Sequence, residues 1–112
     1  MKLTIKRTSG ASLDVGLISH VERRMEFALG RFSHHVQQVK LGLSDESSPQ
    51  GETEKRCRLE LLLIDKEPLV VSELAVDEYA AVNRAFAVMA LLATRRVDRQ
   101  PRERAEGIPV YG

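Results

Sequence analysis

The residues of this chain whose type and spacing carry the clearest chemical capacity are arginines. Arg23, Arg24 and Arg31 fall in one amphipathic segment, and Arg84, Arg95, Arg96 and Arg99 in another. A guanidinium presents a planar fork of donors that matches a phosphate two bonds at a time, so arginines on a shared surface can grip a nucleic-acid backbone without reading its sequence. Other chemistries are not expected. No glycine-rich phosphate loop, no cysteine or histidine pair at metal-ligand spacing and no nucleophile beside a base is found, so neither an enzyme nor a cofactor or small-molecule substrate is anticipated. His34 and His35 are sequence neighbours pointing in different directions, and His20 lies about four turns upstream by helical geometry, so no metal site is read from them.

Composition sets the limits on partners. Across 112 residues, 17 Lys and Arg balance 16 Asp and Glu to a net charge of +1, which gives no global field toward nucleic acid; any such binding must be local. Cys57 is the one cysteine and alternates with Leu59, Leu61 and Leu63, so it reads as a small core side chain. Without a signal sequence or an apolar run long enough to cross a bilayer, a cytoplasmic location and no membrane partner are expected. The length fits one domain, assigned to residues 1–99, with 100–112 as a flexible tail.

Two helices must position the arginines. Asp14 is placed to cap a helix from Val15 to about Phe32 whose apolar stripe is Leu17, Ile18, Val21, Met25, Ala28, Leu29 and Phe32. Asp77 is placed to cap a second, running to Arg99, with Glu78 at its positive end and Arg95, Arg96 and Arg99 at its negative end. Tyr79, Val82, Phe86, Met89, Ala90 and Ala93 form its expected core stripe, while Arg84, Val88, Leu91 and Arg95 share the opposite face. Two-residue alternation predicts strands at 3–7, from Val36 to near Glu46, at Lys55–Ile64 and at Leu69–Leu74, with 47–53 a loop. The order is β-α-β-β-β-α: an α+β fold with a four-stranded mixed sheet and both helices packed on one face.

That layout, together with Asp14, Leu17–Val21, Phe32, Val36–Leu43 and above all Asp77-Glu-Tyr-Ala-Ala-Val-Asn83, resembles the ribosome hibernation-promoting factor and ribosome-associated inhibitor family. The last segment is similar to that family's acidic-x-Tyr-Ala-Ala-Ile-Asp signature, and the resemblance covers residues 3–99. It implies a non-catalytic stress protein that docks on small-subunit rRNA near the decoding region and silences or preserves idle ribosomes. Arg24 and Arg95 fall where the family carries basic contacts, with Arg84 and Arg96 close by. Phe27, Val88 and Leu91 depart from the pattern, standing where lysine or arginine is common. The alternative is a diverged protein in which Val88 and Leu91, rimmed by Arg84 and Arg95, make a homodimer or other protein contact with little RNA affinity.

Overall fold

The computed structural model describes residues 1–9, 12–47 and 49–105, the side chains of 98–105 excepted. Its elements are β1 (Lys2–Arg7), α1 (Val15–Leu29), a 3-10 stretch (Gly30–His35), β2 (Val36–Ser47), β3 (Thr53–Leu63), β4 (Leu69–Ala75) and α2 (Glu78–Ala105). The strands lie in the order β1-β2-β3-β4, with β1 parallel to β2 and the other pairs antiparallel. The expected order and the mixed four-stranded sheet are thus found. Parallel pairing requires the chain to return to its starting end, and α1 makes that crossover. The β2–β3 turn places Gly51 at φ 89°, a backbone state that costs glycine nothing, and the β3–β4 turn places Asp65 at φ 61°, which an acidic side chain tolerates.

Alternation along the strands decides which face carries the helices. Val39, Leu41, Leu43, Cys57, Leu59, Leu61 and Val71 are buried and meet Leu17, Val21, Met25 and Leu29 of α1 and Val82, Phe86, Met89 and Ala93 of α2 in a single core. The opposite face is polar, with Lys40 and Arg58 exposed and Glu60 half-buried. Burial desolvates the Cys57 thiolate and pushes the thiol up to about 12, so this side chain behaves as the core residue its alternation indicates. Leu62 is half-buried opposite Gln38, and the amide of Ile64 donates to the carbonyl of His35 at 3.0 Å, extending the β2–β3 pairing past its bulge.

Three expectations change. Helix α1 gives way at Gly30 to the 3-10 stretch, which carries Phe32 into the core on a tighter winding. Tyr79 is 42% exposed and Ala90 is half-buried, whereas Ala81 and Ala85 are fully buried. The buried stripe of α2 is therefore rotated toward its alanines, whose small side chains let the helix approach the sheet, and its Tyr79–Ala90 flank is turned toward α1. Helix α2 also continues through Gln100 to Ala105, where the tail was anticipated, so Arg95 and Arg96 sit within the helix and not in its last turn. Residues 106–112 of that tail lie outside the described residues.

Candidate nucleic-acid interface

The two helices run parallel because they are joined by two rungs at the same spacing. His20 Nε2 and Asn83 Oδ1 are 2.7 Å apart, and Arg31 Nη2 donates to Thr94 Oγ1 at 2.7 Å. Both rungs link residues 63 positions apart, so the helices advance in step along their whole contact. Tyr79 closes the upper end: its ring stands 4.8 Å from that of His20, and its hydroxyl occupies the space that a side chain at Gly16 would need.

The start of α2 is anchored just as firmly to the sheet. Asp77 Oδ1 accepts from the amide of Ala80 at 2.8 Å, the N-cap expected from its position. Arg7 at the end of β1 grips the Glu78 carboxylate through Nε at 3.1 Å and Nη2 at 2.7 Å, and its Nη1 donates to the carbonyl of Ser12 at 2.7 Å. This part-buried fork joins residues 71 apart, a pairing with no local signature in the sequence.

Against this frame the arginines divide into two populations. Those on strands are all paired with carboxylates: Arg7 with Glu78, Arg56 with Glu46, and Arg58 with Glu60 at 3.7 Å. The hydrogen bond from Arg56 holds the Glu46 carboxyl below its ordinary range. Among the described side chains, no arginine of α1, α2 or the 3-10 stretch between α1 and β2 makes an ion pair. Arg31 and Arg84 spend donors on neutral acceptors, Thr94 Oγ1 and the carbonyl of Leu74 respectively, and Arg96 donates to the carbonyl of Glu67. A guanidinium held this way keeps its full charge and its remaining donors.

The structure brings some of the named residues together and separates others. Arg24 lies on α1 one turn after His20, and Arg31, in the 3-10 stretch, reaches Thr94 of α2. Arg84 and Arg96 reach from α2 toward β4 and the turn that precedes it, with exposed Arg95 on the crest between them. Arg23 is set apart on the outer side of α1, in a shallow depression lined by Ser19, Glu22 and Glu26, where two carboxylates disfavour a phosphate. The side chain of Arg99 lies outside the described set. Val88 is partly buried against the core, while Leu91 is 63% exposed, so the anticipated apolar pair is mostly one residue. Phe27, which lies outside the apolar stripe of α1, is 81% exposed. Its periodicity was the available signal, being an aromatic residue off the buried face. Among the described residues, no group of three or more His, Cys, Asp or Glu side chains is arranged to hold a metal ion.

Solved structures with this architecture include the Protein Y N-terminal domain of Thermus thermophilus, at a TM-score of 0.68 and 19% identity over 85% of this chain and 98% of that one. Another is a ribosomal subunit interface protein from Coxiella burnetii, at a TM-score of 0.71 and 11% identity over 88% of this chain and 99% of that one. The chain shares their fold. No protein-family model matches it, and no curated protein does. The expected architecture is therefore matched by solved structures over most of the chain, at identities where the likeness is one of fold. No helix among the described residues is long and apolar enough to cross a membrane.

Proposed function

We propose that this protein is a non-catalytic, ribosome-associated factor that binds small-subunit rRNA near the decoding region through the arginine-bearing side of its two parallel helices, and so holds idle ribosomes out of translation. The observation that carries this reading is the division of the arginines: each one on the sheet is ion-paired with a carboxylate, and among the described side chains none on the helices is, although Glu22 and Glu26 lie beside Arg23. A globular protein with a net charge of +1 gains little by segregating cations in this way, unless the segregated face meets an anion. One solved structure that shares the fold is named a ribosomal subunit interface protein, which makes the ribosome the first partner to test. Arg24, Arg31, Arg84, Arg95 and Arg96 are assigned to phosphate contact, with Arg23 at the margin and Arg99, whose side chain is outside the described residues, a further candidate.

Co-sedimentation with purified ribosomal subunits tests the proposal. Association with the small subunit at low salt that weakens steeply as salt rises is the expected result, because each neutralised phosphate releases a counterion. Absence of association at low salt rejects it.

The 63% exposure of Leu91 favours a second reading, a homodimer or other protein contact centred on that residue. Under that reading the wild type scatters light as a dimer, and Leu91→Glu as a monomer. Under the RNA-binding reading both are monomers.

A further inference from the structure

Phe27 is the most exposed of the large apolar side chains among the described residues, at 81%, and it stands on the side of the molecule where guanidinium groups lack carboxylate partners. The guanidinium carbon of Arg24, one turn earlier, lies over its ring at 5.2 Å from the centroid. That contact orients the ring and leaves its remaining surface open. Arg24 Nε is shielded from solvent without a hydrogen-bond partner among the described residues. The common offset of the two interhelical rungs sets Phe27 level with Ala90, the residue before exposed Leu91, with Arg31 one turn beyond.

We propose that Phe27 is a stacking platform for an unpaired base of single-stranded RNA, the flanking guanidinium groups taking the adjoining phosphates. The inference deepens the RNA-binding reading and rests on it. Charge complementarity selects this occupant over a second copy of the chain. A two-fold contact centred on Phe27 and Leu91 sets each subunit's Arg24, Arg31 and Arg95 against the same surface of its mate, where these cations outnumber the nearby α1 carboxylates, Glu22 and Glu26, which line the depression around Arg23. A nucleotide supplies both halves of what the surface lacks: a flat π face for the ring and an anion for each guanidinium.

The test compares three labelled RNAs of about a dozen nucleotides, a length within the range that such surfaces engage. One is a mixed-sequence single strand, the second is the same strand carrying abasic sites, and the third is a duplex. Phe27→Ala is expected to weaken binding to the base-bearing strand by about 5- to 150-fold, the range of a base–aromatic stack, with an unchanged salt slope. Wild type and Phe27→Ala should then bind the abasic strand equally. Phe27→Tyr should keep the preference for bases. Phe27→Lys should steepen the salt slope by about one unit and still lose that preference. Equal losses on base-bearing and abasic strands overturn the proposal, as does a Phe27→Ala variant that binds like wild type or one that turns a dimer into monomers. Small-subunit binding by wild type that is indifferent to Phe27 removes this inference and leaves the ribosomal reading intact. Failure of wild type to bind either subunits or RNA removes both. Because Phe27 is exposed, equal thermal unfolding of wild type and variants establishes that folding is not the cause.

Discussion

At the scale of single residues, what distinguishes one arginine from another is its acceptor. Arg7, Arg56 and Arg58 meet carboxylates and serve the architecture, while Arg24 and Arg95 have neither an ion pair nor a hydrogen-bonding acceptor among the described residues. Cys57 illustrates the reverse case, a chemically capable group made inert by burial. With its thiol pushed up to about 12, it should resist thiol reagents at pH 8 in the folded protein and react fully in denaturant. Rapid labelling of the native state would contradict its place in the core. The sign of the pH effect follows: a folded value above the ordinary thiol range contributes stability below that range, and the contribution is lost as pH rises toward about 12. The core role of Cys57 was legible from its alternation with leucines. The acceptors of the arginines were not, since Glu78 lies 71 residues from Arg7 and no local pattern joins them.

At the scale of elements, the segment Asp77–Asn83 is chiefly a device for seating α2. Asp77 caps the helix, Glu78 locks it to β1, Tyr79 and Asn83 meet His20 on α1, and Ala81 and Val82 are buried. Removing the cap with Asp77→Ala should cost about 1 kcal/mol, read as a fall in melting temperature of about 4 °C for a chain of 112 residues. No change would mean that the fork to Arg7 seats the helix alone. The segment's prominence in the sequence therefore reports architecture more than ligand contact. Element order and strand positions followed from two-residue alternation, whereas the rotation of α2 did not. Tyr79 fits the three-and-four spacing as well as Val82 does, and only the presence of α1 alongside decides that the tyrosine faces the neighbouring helix and the alanines face the sheet. The continuation of α2 past Pro101 was equally hidden, because a proline inside a helix ordinarily reads as its end.

At the scale of the whole molecule, the fold sorts charge. The sheet's open face mixes Lys40, Arg58 and Glu60, and the helix side presents guanidinium groups without carboxylate partners around an apolar centre at Phe27 and Leu91. A near-neutral chain thus gathers arginines without ion pairs on its helix side, which predicts local and salt-sensitive anion binding. The decisive measurement is the slope of log affinity against log salt for small ribosomal subunits, taken on wild type and on the Arg24→Ala, Arg95→Ala double variant. A steep wild-type slope is expected, flattening by about two units in the double variant, one for each phosphate contact removed, with thermal stability nearly unchanged. A double variant that binds with the same slope and affinity as wild type would contradict that expectation.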